Sequence, residues 1–426
     1  NMDMFCREST YCDHAFSTFP VCSPHRASMM TGKYPLSLGV FTNCKNGLSM
    51  RLRDEEVGIG QVLKDAGYQT GYIGKWHLDE PEQNNDPNPV SGACDWDAFT
   101  PPGPRRHGFD YWYSYGTYDV HLDPHYWADT PEQIKPGCWS PEFETDKALE
   151  YMEGKKQQEE PFALFVSYNP PHLPYELVPD KYYEKYKDMP VHFRENVPKE
   201  KRTPEMETIT RQYFAAVSGV DEQFGRLLEF LKENGMEEDT IVVLSADHGE
   251  MLCSHRLWSK HVWFEESVGI PFLIKYGDRF IRGNTNVVLN GVDIMPTILS
   301  LMNLPIPESI QGIDLKEVIL NGNDIENYAI MAGYPGQIRA IEEFKSYGKD
   351  NTAFGWRAIR TKQHTYVINR GYTIAHGIER LLYDNINDPY QMNPIKLNNC
   401  SENEIATELE AKLKEWAIKY KDKFEF

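Results

Sequence analysis

Residues 240–252 read TIVVLSADHGEML, an apolar stretch that runs straight into Asp-His-Gly. It lacks the strict alternation of a half-wetted strand, so it reads as a strand covered on both faces with Asp247 and His248 at its carboxyl end. Three other stretches share this texture: TGYIG (70–74), PFALFVSY (161–168) and IPFLIKYG (270–277). Helical patterns lie between them, IGQVLKDAG (59–67) stopping at Gly67 and ITRQYFAAVSGVDEQFGRLLEFLKENG (209–235) ending with Gly235. Strands that alternate with helices imply an α/β fold, a large mixed and mostly parallel sheet sandwiched by helices. Ligands of such sheets bind beyond the carboxyl ends of the strands.

After about residue 335 the texture changes. WRAIRTKQHTYVINR (356–370) and RLLYDNINDPYQMNP (380–394) read as short antiparallel strands, and EIATELEAKLKEWAIKYKDKF (404–424) reads as a closing helix. The predicted division is a catalytic domain over 1–335 and a smaller α+β subdomain over 336–426.

A chain of 426 residues with 40% hydrophobic residues and 28 prolines has the material for a large core and many ordered loops. Its net charge of −20 argues against nucleic acid as a partner, since a phosphate backbone demands a basic footprint. A small anion is still bound wherever Lys, Arg and His cluster locally. No apolar run approaches the ~20 residues of a membrane span. The eight cysteines are scattered without a C-x-x-C pair, which argues against a cysteine-based zinc site. Aromatics make up 13% of the chain, a surplus that serves either sugar pockets or cores.

The strand ends carry the chemistry. In GYIGKWHLDE (71–80), Lys75 and His77 are two apart and share a face of an extended segment, a cation and an imidazole suited to an oxyanion clamp and a general acid. VSYNPPHLPY (166–175) places His172 in a proline-stiffened loop, and SKHVWFEES (259–267) adds Lys260 soon after Asp-His-Gly. Asp247 serves equally as a metal ligand or as a helix cap. Each motif alone is weak; their convergence on predicted strand ends is not. The stretch VCSPHRASMMTGKYP (21–35) then supplies Cys22 and Arg26. A phosphatase-type thiolate needs its arginine six positions on, where this chain has Ser28, so that reading fails on spacing.

C-S-P-x-R followed by A-S-x-x-T-G-x-Y-P resembles the signature of type I sulfatases of the alkaline phosphatase-like superfamily, and G-K-W-H, P-P-H-x-P, A-D-H-G and a following Lys agree in order. The resemblance implies a bacterial carbohydrate sulfatase in which a maturase oxidises Cys22 to formylglycine, guided by Ser23, Pro24 and Arg26. In its hydrate, one hydroxyl takes the sulfuryl group and loss of the other's proton releases it, an exit a thiol lacks. It further implies that Lys75 and Lys260 hold sulfate oxygens, that Arg26 and His77 support the nucleophile, and that His172 protonates the leaving oxygen. Asp247, His248 and the modified Cys22 would bind a divalent cation, usually Ca²⁺, with Mg²⁺ or Mn²⁺ as alternatives. The aromatic and basic stretch 99–127 is the predicted sugar pocket, with Arg105, Arg106, His121 and His125 as candidates.

The family pattern also has a strand ending in two adjacent aspartates ahead of the cysteine, whereas no Asp-Asp occurs in the first 53 residues here. The expectation is that this strand, and any signal peptide, precedes Asn1, and that the protein is periplasmic or secreted. Two other functions share the pattern. A phosphonate or phosphate diester hydrolase needs fewer cations around the transferred group, and the pair Lys75 and Lys260 disfavours it. An inactive sulfated-glycan binder would have no need of an intact Cys22-Ser23-Pro24-x-Arg26.

Overall fold

The computed structural model describes all 426 residues. The strand Gln69–Lys75 is central to a parallel sheet, flanked by Tyr111–Tyr115 and Phe162–Ser167. A second sheet runs Val242–Ser245, Phe272–Lys275, Thr10–Tyr11, Gly283–Asn284, antiparallel except for its last pair. His14–Phe16 pairs in parallel with Val288–Asn290. The expected α/β sandwich is present, with its strands in three hydrogen-bonded groups and parallel pairings in the majority.

The two chemistry-bearing strands Phe162–Ser167 and Val242–Ser245 each pair on one edge only, and helices join them. On one face Phe162, Leu164 and Val242 pack with Tyr151 and Met152 of the helix Ser140–Glu153 and Leu231 of the helix Pro204–Glu233. On the other face Ala163 and Phe165 join the cluster that includes Met295, while Val243 joins a neighbouring cluster. Met29 of the helix Cys22–Thr31 and Ile298 of the helix Ile294–Leu301 pack against both clusters. The Cys22–Thr31 helix is thereby clamped across the strands that carry the site. The long helix starts where Thr203 accepts a hydrogen bond from the Met206 amide.

The aromatic surplus is mainly core. Trp76, Trp112, Trp127, Trp139, Trp356 and Trp416 are buried, and Tyr72 stacks on Trp112 with centroids 5.3 Å apart. By area each such ring contributes roughly 4–6 kcal/mol against an extended chain, an upper bound. The predicted sugar-pocket stretch is corrected in part: its residues Tyr111–Tyr115 form a strand of the parallel sheet, with Trp112, Ser114 and Tyr115 buried.

The C-terminal region is an antiparallel sheet in the order Ala329–Gly333, Trp356–Arg360, His364–Asn369, Glu379–Asp384, Ile395–Leu397. Its first strand lies on the N-terminal side of the division expected at 335. The helix Glu404–Tyr420 covers it through Leu409, Leu413 and Trp416 packed on Ile359, Tyr366 and Ile368. Arg357 and Asp422, both fully buried, pair at 2.8 Å and tie the tail to the sheet. No helix is long and apolar enough to cross a membrane. All eight cysteines are unpaired.

Candidate functional site

Cys22 is the first residue of its helix, after Val21 in extended backbone, and the helix ends at Gly32 with φ 65°. A side chain at this end meets the positive pole of the helix. Cys22, Ser23 and Pro24 are all buried. The next loop pins the turn in place: the Ser23 amide donates to Asn43 Oδ1 and the Cys44 amide to Ser23 Oγ, both at 3.1 Å.

Three groups face the Cys22 sulfur. His248 Nε2 lies 3.3 Å from Sγ and Lys75 Nζ 3.7 Å, while His77 packs beside it. Lys75 also donates to Asn169 Oδ1 at 3.0 Å, and the buried His77 ring contacts the Cys44 carbonyl through Nε2 at 3.1 Å. Lys75 and His77 converge as expected, although the strand stops at Lys75 and His77 has φ 52°, so regular extended backbone does not aim them. Gly74 makes the close approach feasible: it sits at φ 95°, and a Cβ there would lie 2.3 Å from the Ser167 carbonyl oxygen.

Arg26, one turn along the helix, donates from Nε to Asp247 Oδ2 at 2.9 Å and from Nη1 to Ser167 Oγ at 2.7 Å and the Lys75 carbonyl at 2.9 Å. His172 Nε2 and Lys260 Nζ are 3.1 Å apart. On its other side His172 Nδ1 faces Asp119 Oδ1 at 3.2 Å and the Leu173 carbonyl at 2.8 Å. Asn169 binds that same Asp119 oxygen at 2.9 Å while accepting from Lys75, so the Lys75 and His172 ends of the site share one network.

Electrostatics follow from this crowding. Burial would raise the Cys22 thiol, but Lys260, Lys75 and His248 overcome it and hold the thiol well below its ordinary range. Asp247 resists its burial in the same way, held below the usual carboxylate range by His248 and Arg26. Asp119 is held down against burial by His172. Burial pushes His77 down, and Cys22 beside it opposes that shift. Lys75 and Lys260 are buried with no carboxylate within ion-pair distance. Two such cations beside a helix N-terminus make a pocket for a tetrahedral anion.

The donor atoms of Cys22, Asp247 and His248 all lie within 4.8 Å of one another and can hold a metal ion. One ionised carboxylate, one imidazole and one sulfur make a mixed donor set. Ca²⁺ takes about six to eight oxygens, so this set suits it only in part until the sulfur is replaced by oxygen.

The candidate sugar contacts are placed differently. Arg106 is buried and spends its guanidinium on the Thr100 and Ala128 carbonyls and Asp129. His125 is buried against Asp97 at 2.7 Å, and Arg105 pairs with the buried Asp79. His121 lies nearest the site, but its Nε2 contacts the His172 carbonyl at 2.9 Å and so supports that loop. The sequence reading missed Asp119, Asn169, Ser167 and Tyr72, whose hydroxyl donates to the Lys75 carbonyl at 2.6 Å and accepts from Arg26 Nη1 at 3.4 Å. Ser167 and Asn169 lie within the quoted stretch 166–175 and Tyr72 within 71–80, whereas Asp119 lies in the separate stretch 99–127.

Similarity to known proteins accords with this geometry. A model of the sulfatase family matches residues 1–304. The chain belongs to the sulfatase family. A model of the N-sulphoglucosamine sulphohydrolase C-terminal region matches residues 253–419 of this sulfatase. An endo-4-O-sulfatase of Bacteroides thetaiotaomicron is 36% identical over 94% of this chain and 82% of its own length. An ulvan-active sulfatase of Formosa agariphila is 34% identical over 100% of this chain and 77% of its own. A solved structure from work on glycosaminoglycan metabolism by Bacteroides thetaiotaomicron superposes with a TM-score of 0.86 at 34% identity, covering 99% of this chain and 89% of that one. The protein is a sulfuric ester hydrolase.

Proposed function

We propose that this sulfatase hydrolyses a sulfate monoester on a carbohydrate or glycosaminoglycan fragment, with formylglycine made from Cys22 and a divalent cation at Asp247 and His248. The observation that carries the reading is the convergence of Lys75, Lys260 and His172 on the buried end of the Cys22–Thr31 helix. The names of the two relatives support a carbohydrate substrate.

Sulfate esters are inert in water, so the enzyme has to neutralise the sulfuryl oxygens and protonate the leaving alkoxide. Lys75 and Lys260 bind those oxygens as fixed cations in a water-poor site. His172 delivers the proton, and Asp119 holds its ring from behind. Arg26 keeps Asp247 ionised and fixed, and His77 steadies the Cys22 position. Asp247 and His248, with the modified Cys22, would hold the divalent cation (Ca²⁺, Mg²⁺ or Mn²⁺), which would supply Lewis acidity, while formylglycine hydrate would supply an oxygen nucleophile. With Cys22, Ser23 and Pro24 buried in the folded chain, a maturase has access to them only before folding completes.

The test is release of inorganic sulfate from a panel of sulfated monosaccharides and glycosaminoglycan disaccharides, beside an aryl phosphonate. Turnover of a sulfated sugar is expected. Turnover of the phosphonate alone would contradict the reading and favour the diester hydrolase.

A further inference from the structure

Lys45 is a buried cation that neither the fold nor the sulfate pocket uses. It is 4% exposed, has no carboxylate within ion-pair distance, and its ammonium finds only Thr42 Oγ1 at a long 3.5 Å. A buried ammonium ordinarily has a counter-charge or a full set of acceptors. Desolvation accordingly lowers its pKa.

Its surroundings are those of a ligand site. The segment 43–45 leaves the catalytic turn directly, through the Ser23–Asn43 and Ser23–Cys44 hydrogen bonds. Lys45 Nζ lies 5.7 Å from the ring centroid of Trp96, which is 40% exposed in a protein whose tryptophans are mostly buried. Gln83 Oε1 accepts from both Asn46 Nδ2 and the Asp95 amide, locking the Lys45 and Trp96 loops together. His261, next to the sulfate-pocket Lys260, lies in the field of Lys45 as well as of Lys260 and His248. A part-exposed indole beside a preformed cation offers a sugar ring an apolar contact and its anionic substituent a partner.

We propose that Lys45 and Trp96 form a second subsite, which binds a carboxylate or second sulfate on the sugar adjoining the ester to be cleaved. The subsite rests on the sulfated-carbohydrate reading above. It explains why a chain of strong negative charge keeps an unneutralised lysine here, since the substrate brings the missing anion.

The experiment uses calorimetric binding to the Cys22→Ser protein. The ligands are a sulfated disaccharide with a neighbouring uronate, its carboxyl-reduced counterpart, and a counterpart carrying a second sulfate in place of the carboxylate. An anionic neighbour should tighten binding by about tenfold, the scale of one charge-assisted contact. Lys45→Gln should abolish that preference and Lys45→Arg retain it. Trp96→Ala, at an exposed ring, should weaken all three ligands with their ratios kept. The two anionic arms show which substituent the subsite takes. An unchanged preference in Lys45→Gln, or an equal loss for all three ligands, overturns the proposal. Sulfate release by the unaltered enzyme, measured in parallel, separates the two readings: turnover without discrimination sinks the subsite alone, and absence of both binding and turnover sinks both.

Discussion

Arg26 donates to Asp247 at 2.9 Å across a gap between two strands that share no backbone hydrogen bond. The same guanidinium reaches Ser167 at the end of one strand and Asp247 just beyond the end of the other. The pair braces the two strand ends and, on the proposed function, would also support a metal ligand. Arg26→Leu leaves the part-buried Asp247 carboxylate with only His248 and Lys75 as cationic neighbours, a loss of about 1–3 kcal/mol. Denaturant unfolding of Arg26→Leu checks this; stability equal to wild type would contradict it.

His172 as proton donor has a signature in the leaving group. An aryl sulfate departs with little help, whereas a sugar alkoxide needs the proton. His172→Ala should therefore slow sulfated-sugar hydrolysis by about 10²–10⁴-fold, the range of general acid catalysis, and aryl sulfate hydrolysis far less. Equal losses on both substrates would mean that His172 only shapes the pocket.

Asp119 faces the other side of that ring, so Asp119→Ala should show the same leaving-group selectivity in weaker form, read mainly in kcat. Steady-state kinetics on the two substrates give the answer. A change confined to KM would place Asp119 in substrate binding instead.

Stability should respond to pH through Asp293. Burial pushes its pKa up to about 7 despite hydrogen bonds from the Ile313 and Asn290 amides. That lies above the unfolded value of about 3.9, so the folded state binds the proton more tightly. Its stabilising contribution is fully present below about pH 4 and is lost as pH rises towards about 7. Asp293→Asn should flatten this part of the stability profile, as followed by thermal melts between those pH values. A slope identical to wild type would contradict the assignment.

Sequence legibility followed chain proximity. Cys22 and Arg26, Lys75 and His77, and Asp247 and His248 announce themselves because each pair sits within one short segment at a strand or helix end. Asp119 does not, because it meets His172 from a loop 53 positions away in sequence and no local pattern marks it. Arg106 and His125 misled for the complementary reason: a polar residue in an aromatic loop looks like a ligand contact until its internal partner is placed. YWYSY reads as a sugar platform by composition but is a strand of the parallel sheet, since sheet pairing depends on Gly71–Lys75 far along the chain. The paired-edge arrangement of the sheets was likewise invisible, because apolar runs reveal strands without revealing their neighbours.

Removal of the cation should reveal how far the site depends on it. Exhaustive chelation should abolish sulfate release, and titration of Ca²⁺, Mg²⁺ or Mn²⁺ back into the protein should restore it and identify the ion. Full activity after chelation would contradict a metal at Asp247 and His248.

The central claim is that Cys22 acts only after conversion to formylglycine. It is tested by measuring sulfate release against the mass of the tryptic peptide 8–26 in preparations made with and without a co-expressed maturase. The account predicts that activity scales with the fraction of peptide lightened by the exchange of SH₂ for O, and is absent when every Cys22 remains a thiol. Sulfate release by fully unmodified protein, or none from fully converted and metal-loaded protein, would contradict it.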